Sequence, residues 1–170
     1  MLILISGAPL SGKSTICRKL RKYFGDSSRL LSTDEFRKNM TGSYSDYSKE
    51  YDIWAEIVKV ATKNLEKQKI VILDATLRQK DLRLKHIEYY KKYPICLISF
   101  EKLPIDVLLE RNRQRTWKQL DEATLMKFWD SYEVPDEAEL QLYDYSIVVN
   151  NGNSDGKLAE LITYIEEGRK

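Results

Sequence analysis

Hydrophobic and polar positions alternate along this chain in blocks. Leu2–Ile5, Ile70–Leu73, Ile95–Phe100 and Ser146–Val149 are short, nearly continuous apolar runs. Strands covered on both faces have this pattern, because neither side chain direction meets water. Arg29–Ser32 is a weaker run of the same length class. Between the runs the period changes to that of a helix. Ile16, Leu20 and Phe24 keep one face, as do Trp54, Ile57, Val58, Ala61 and Leu65. Leu158, Leu161, Ile162 and Ile165 follow i, i+3, i+4, i+7, with Ser154 as a candidate N-cap. Pro104 suits the first turn of a helix carrying Ile105, Leu108 and Leu109. Leu125, Phe128, Trp129 and Tyr132 form the apolar side of a helix after Asp121. Strands alternating with helices predict crossover units. The expected fold is a three-layer α/β domain with a parallel five-stranded sheet and helices on both faces. The loops Gly42–Ser48 (GSYSDYS) and Asn150–Asp155 (NNGNSD) are too short for domain linkers, so residues 1–170 are read as a single domain.

Composition narrows this picture little. Hydrophobic residues are 42% and charged residues 32%, which fits a soluble globular domain. The formal charge of +2 is too small to argue nucleic-acid binding, so any basic footprint has to be local. No run approaches the ~18 apolar residues of a membrane span, and Met1–Ile5 is too short for a signal-peptide core. No membrane partner is expected. Cys17 and Cys96 lack metal-ligand spacing and read as small buried hydrophobes in a reducing compartment. A cytoplasmic location is therefore expected, and the oligomeric state is left open.

The first stretch with chemistry is GAPLSGKS, Gly7–Ser14, which matches G-x-x-x-x-G-K-[ST], the P-loop or Walker A pattern. Glycines let backbone N–H groups converge on phosphate oxygens, and the next helix points its positive end at them. Gly7, Ala8, Pro9, Ser11, Gly12, Lys13, Ser14 and Thr15 are the candidate nucleotide-binding residues. ATP and Mg²⁺ are the expected cofactors, with Lys13 on the β- and γ-phosphates and the Ser14 hydroxyl on the metal. A glycine turn with a solvated Lys13 is the bland alternative. An apolar strand before the loop and an amphipathic helix after it argue against that.

Three further clusters fall where an open α/β sheet places its ligand crevice, near strand C-termini. In STDEFRKN, Asp34 is placed to take a proton from an acceptor hydroxyl and Arg37 to bind an acceptor phosphate. An N-capping Asp34 paired with a surface Arg37 accounts for the same residues. In LDATLRQKD, Asp74 ends an apolar run and suits Mg²⁺ or the orientation of its own loop. In LPIDVLLERNRQRTWKQLDE, Arg111 and Arg115 lie four apart on one helical face, with Arg113 between them. An arginine-bearing lid near 111–120 would neutralise charge during transfer and exclude water. A solvated basic helix end is the alternative. Tyr44, Tyr47 and Tyr51 either stack on a nucleobase or, in the plainer reading, divide into a packed Tyr51 and two surface rings. Trp117 is a stacking plate or a hinge contact. His86 in its polar helix and EYYKKY, Glu88–Tyr93, read as solvated.

Taken together, GAPLSGKST, STDEFR, DATL, LPIDVLLERNRQR and YEVPDEAE occur in an order and spacing that resembles P-loop kinases of the polynucleotide 5′-hydroxyl kinase type, from about Ile3 to Glu139. The resemblance implies a P-loop kinase fold and roles position by position. Lys13 and Ser14 match the phosphate and metal residues, and Asp34 matches the general base on the 5′-hydroxyl. Arg37 matches the arginine on the acceptor's phosphate, and Arg111 and Arg115 match the lid pair. It also implies a nucleic-acid 5′ end, DNA or RNA, as acceptor. Leu77 departs from the Asn that many relatives carry there, and the chain has no room for the phosphatase or ligase domains that often accompany such kinases. Kinases of nucleosides, nucleotides and sugars share the scaffold, so a small-molecule acceptor is the second expectation. An NTP-hydrolysing switch is the third, although it has no use for an acceptor-facing Asp-x-x-Arg.

Overall fold

The computed structural model describes residues 1–150 and 152–168. The chain runs β1 (Leu2–Ser6), α1 (Lys13–Phe24), β2 (Ser28–Ser32), α2 (Thr33–Thr41), α3 (Glu50–Glu66), β3 (Ile70–Asp74), α4 (Lys80–Tyr90), β4 (Ile95–Phe100), α5 (Ile105–Arg113), α6 (Glu122–Asp130), α7 (Glu137–Leu140), β5 (Tyr145–Val149) and α8 (Ser154–Glu167). The five strands form one parallel sheet in the order β2-β3-β1-β4-β5. Every expected strand is present within one residue. β1 is central, with Leu4 registered against Leu73 on one side and Leu97 on the other.

The apolar runs are continuous because both faces of the sheet are covered. Along β1, Leu2 and Leu4 enter a core with Ile53, Ile57, Ala61 and Leu65 of α3. Ile3 and Ile5 enter a second core with Ile16, Cys17 and Leu20 of α1 and Leu161 and Ile165 of α8. A smaller cluster of Ala8, Leu108, Leu125 and Tyr132 joins the phosphate loop to α5 and α6. β2 is an edge strand with an exposed Arg29, which is why its run is the weakest in sequence. Among the described residues no helix is long and apolar enough to cross a membrane.

Several local expectations shift. Asn153, not Ser154, is the N-cap of α8, and its side chain is tied to the preceding loop through Asn150 N at 2.8 Å and Val148 O at 3.3 Å. Asn151 of that loop lies outside the described residues. Pro104 stands one position before α5 as its N-cap. In α3, Ile53 takes the core position and Trp54 and Val58 are half-buried, while Tyr51 at the helix start is 86% exposed rather than packed.

α4 differs most. Tyr90 is buried, and His86 is half-buried with its ring 5.4 Å from Trp54 and its Nδ1 2.7 Å from Leu82 O. Burial holds the His86 imidazole below its ordinary pKa. Arg83 is fully buried and forks onto Glu139, with Nε donating to Oε1 at 2.6 Å and Nη2 to Oε2 at 2.9 Å. Its Nη1 donates to Leu77 O at 3.0 Å, and the Tyr143 hydroxyl donates to Glu139 at 3.4 Å. An inward-facing charge satisfied from α7 leaves no apolar period, so α4 looks solvated in sequence.

YEVPDEAE braces the same loop. Glu133 N donates to Arg78 O at 2.8 Å, Glu133 Oε2 accepts from Lys80 N at 2.8 Å, and Asp136 caps α7 while pairing with Lys80 at 2.8 Å. Residues 75–79, which follow β3, are thereby held from both α4 and the 132–139 segment.

Candidate functional site

The phosphate loop joins the central strand to α1. Gly12 has φ +105°, a conformation that L side chains rarely adopt. A Cβ on Gly7 would lie 2.8 Å from Ser11 Oγ and 3.0 Å from Phe100 Cβ. Gly12 is therefore demanded by its backbone conformation and Gly7 by close packing against Ser11 and Phe100. Leu10 is also left-handed, with φ 66°. α1 starts at Lys13 with no acidic residue in its first turn and no side chain capping it. Thr15 N donates to Gly12 O at 3.0 Å, and the helix start ahead of it turns its N–H groups toward the loop, which suits an anion. Ser11 Oγ is buried under the loop without a hydrogen-bond partner. These features fit a nucleotide's phosphates.

Lys13 Nζ donates to Ala8 O at 2.6 Å, back into its own loop. Burial pushes its ammonium down to about 8, against the opposing pull of Asp74 and Asp34. Asp74 ends β3 beside β1; burial of the Cys17 thiol, and after it the Asp74 carboxylate, push that thiol's pKa well up. Ser14 and Asp74 share the cavity wall and are the residues suited to a Mg²⁺ bound to the nucleotide.

That cavity has a volume of about 1100 Å³. It brings together Pro9, Gly12, Lys13, Ser14, Thr15, Asp34, Arg37, Asp74, Arg111 and Arg115. Gly7, Ala8 and Ser11 do not line it; they form the packed underside of the loop. Asp34 and Lys13 therefore face one space, as in-line transfer requires.

The Asp34–Arg37 pair differs from the capping reading of the sequence. Ser32 is the N-cap of α2, so Asp34 does not cap it. Arg37 is buried, not on the surface. Its Nη1 donates to Asp34 at 2.6 Å, and its Nε and Nη2 fork onto Glu50 at 3.1 and 3.0 Å. The Tyr47 ring lies 4.5 Å from its guanidinium carbon. Arg37 is thus anchored to α3 and fixes Asp34 in the cavity wall.

The other partner of Asp34 is Lys118, whose ammonium contacts Asp34 Oδ2. Lys118 has φ 58° and lies 5.2 Å from the centre of the Tyr44 ring. Burial raises the Asp34 pKa, but Lys118 and Arg37 outweigh it and hold the carboxyl below the ordinary aspartate range. A group held low stays ionised until the pH falls through its lowered pKa. Removing Lys118 leaves burial less opposed. Lys118→Ala is therefore expected to move the acid limb of the pH–rate profile upward. An unmoved limb would mean that Lys118 does not govern the protonation of Asp34.

The lid residues are an ordered loop. Asn112 holds Leu120 through Nδ2 to O at 2.6 Å and N to Oδ1 at 3.1 Å. Gln119 Nε2 donates to Arg115 O at 2.6 Å. Arg111 reaches across to Leu10 O at 2.9 Å, joining the lid to the phosphate loop. Arg115 lines the cavity, whereas Arg113 faces outward and pairs with Glu110 and Glu122. Trp117 is 55% exposed, and its ring lies 6.1 Å from that of Tyr44. Lys118, Glu50, Arg78 and the Trp54–His86 pair escape sequence reasoning, since they enter the cavity from the 111–120 segment, α3, the loop after β3 and α4, which are far apart in sequence.

A parallel 2-3-1-4-5 sheet, a P-loop at the central strand and Arg111 and Arg115 lining the same cavity define a P-loop kinase-type nucleotide-binding domain. Residues 1–145 match the family described as chromatin associated protein KTI12, and the chain belongs to that family. The Xenopus laevis protein KTI12 homolog is 27% identical over 124 residues, which cover 69% of this chain; the chain spans 42% of that relative's length. The Chaetomium thermophilum Kti12 structure in complex with ADP-AlF3 superposes with a TM-score of 0.74 at 19% identity, covering 98% of each chain. A Sinorhizobium meliloti gluconokinase gives 0.64 at 17% identity over 99% of this chain and 97% of its own. A chain of the Pnkp1/Rnl/Hen1 RNA repair complex gives 0.66 at 24% identity over 76% of this chain and 43% of its own. The P-loop kinase fold is therefore shared broadly, and KTI12 is the family within it.

Proposed function

We propose that this chain is a Mg²⁺- and ATP-dependent phosphotransferase acting on the 5′-hydroxyl of a polynucleotide, in the cytoplasm. The observation that carries the reading is the shared cavity of Lys13 and Asp34, which sets a phosphate-gripping lysine and an ionised carboxylate around one space. When bound, Mg·ATP supplies the phosphoryl group. Lys13 and the first-turn amides of α1 hold the phosphates. Ser14 and Asp74 hold the metal. Asp34 orients the acceptor hydroxyl and takes its proton late in transfer. Arg37 keeps Asp34 in place, and Arg111 and Arg115 neutralise charge from the lid. The chromatin-associated description of the family and the RNA-repair setting of one structural relative favour a polynucleotide over a sugar.

Incubation with γ-labelled ATP and Mg²⁺ tests this against three recipients: a 5′-hydroxyl oligonucleotide, a panel of nucleosides and sugars, and water. Label on the oligonucleotide end is the expected result. Label on a small molecule moves the acceptor assignment, and label released only as phosphate leaves an NTPase.

A further inference from the structure

The charge lining the cavity is far from that of the chain. Ten basic and three acidic side chains line it, whereas the whole chain carries +2. A Mg-bound triphosphate accounts for Lys13 and the lid arginines, while Asp34 and Glu50 engage Arg37 and Lys118. Five cations on the remaining wall, Arg18, Lys38, Arg78, Lys85 and Lys127, have no ion pair among the described residues.

Arg78 stands apart from the other four. Its Nε is buried and has no hydrogen-bond partner. Its guanidinium carbon lies 5.0 Å from the centre of the Phe128 ring. Its carbonyl is pinned by Glu133 N at 2.8 Å, in the loop braced by Arg83 and Glu139. A planar fork fixed at its root and stacked on a ring loses little freedom on binding. A buried, unpaired N–H is costly and is satisfied by an incoming oxyanion. The loop that carries Arg78 also follows Asp74, so the anion it binds sits in the same cavity as the candidate metal residue.

We propose that Arg78, and not Arg37, is the residue that holds the phosphate of the acceptor, so the acceptor is a hydroxyl compound that already carries a phosphate. This rests on the kinase reading above and adds the acceptor's charge to it. Arg37 is already forked onto Glu50, whereas Arg78 has donor capacity to spare.

The test is calorimetric titration of the ADP- and Mg²⁺-loaded full chain with thymidine 3′-monophosphate, thymidine and ribose 5-phosphate. Wild type is expected to bind the nucleoside monophosphate at least about tenfold more tightly than thymidine. Arg78→Ala is expected to abolish that difference while ADP affinity stays within about twofold, and Arg78→Lys to restore part of it. Arg78→Gln serves the same comparison should the alanine variant fail to fold. Equal binding of the nucleoside and its phosphate by wild type overturns the inference, and so does a preference that survives in Arg78→Ala. Tighter binding of ribose 5-phosphate, lost in Arg78→Ala, supports Arg78 and assigns the phosphate to a sugar phosphate. A phosphate preference that needs Arg78, with no label reaching any 5′-hydroxyl oligonucleotide, also supports Arg78 and overturns only the polynucleotide reading.

Discussion

Asp34→Asn is expected to lower the phosphoryl-transfer rate by about 10²–10⁴-fold, the range for loss of a positioned general base. The substitution keeps the side chain's shape and removes its charge and basicity. Little else should change. The Asp34 side chain is 35% exposed, and Arg37 retains its fork onto Glu50, so the wall of the cavity stays in place. Single-turnover transfer from labelled ATP to a 5′-hydroxyl oligonucleotide is the measurement, with ATP affinity and melting temperature as controls. A wild-type rate in a folded Asp34→Asn protein would remove Asp34 from the chemistry. A parallel loss of ATP affinity would mean that it serves the nucleotide instead.

The largest expected effect on stability lies outside the cavity. Arg83→Ala is expected to destabilise the fold by about 3–5 kcal/mol, because it leaves the Glu139 carboxylate buried without its partner. The two side chains are 0% and 1% exposed, so solvent screening does not soften that loss. Replacing both ends with apolar residues of similar size, Arg83→Met with Glu139→Leu, removes the unpaired charge and is expected to recover most of the stability. Urea unfolding of the two single variants and the double variant forms the cycle that measures the coupling. The double variant separates stability from function. It also removes the guanidinium from Leu77 O, which steadies the loop between Asp74 and Arg78. Transfer should therefore stay impaired even where stability returns. Full activity in the double variant would show that the pair serves folding alone.

How much of this was legible depends on the range of the interactions. Lys13 is legible because strand, glycines, lysine and helix are neighbours in sequence, and their geometry is local. Asp34 and Asp74 are legible for a related reason: in a parallel α/β sheet the C-termini of neighbouring strands share one edge. Their partners are not. Lys118 meets Asp34 across 84 residues, and nothing in RTWKQ marks it. Arg37 looks like a surface residue until Glu50 arrives from α3 to satisfy it. Arg83 gives α4 a polar appearance because its partner comes from α7. His86 and Tyr90 are misread as solvated with it.

By itself the sequence determined the parallel sheet, the phosphate loop and the edge of the sheet that carries the candidate site. These follow from hydrophobic period and from steric rules that act within a few residues. Tertiary structure alone decided which charges meet: Arg37 with Glu50, Lys118 with Asp34, Arg83 with Glu139, and Arg78 with an aromatic ring and an unfilled donor. The reason is physical. A buried charge is tolerated only where another element supplies its counter-charge, and the partner's place along the chain has no bearing on whether folding brings it there.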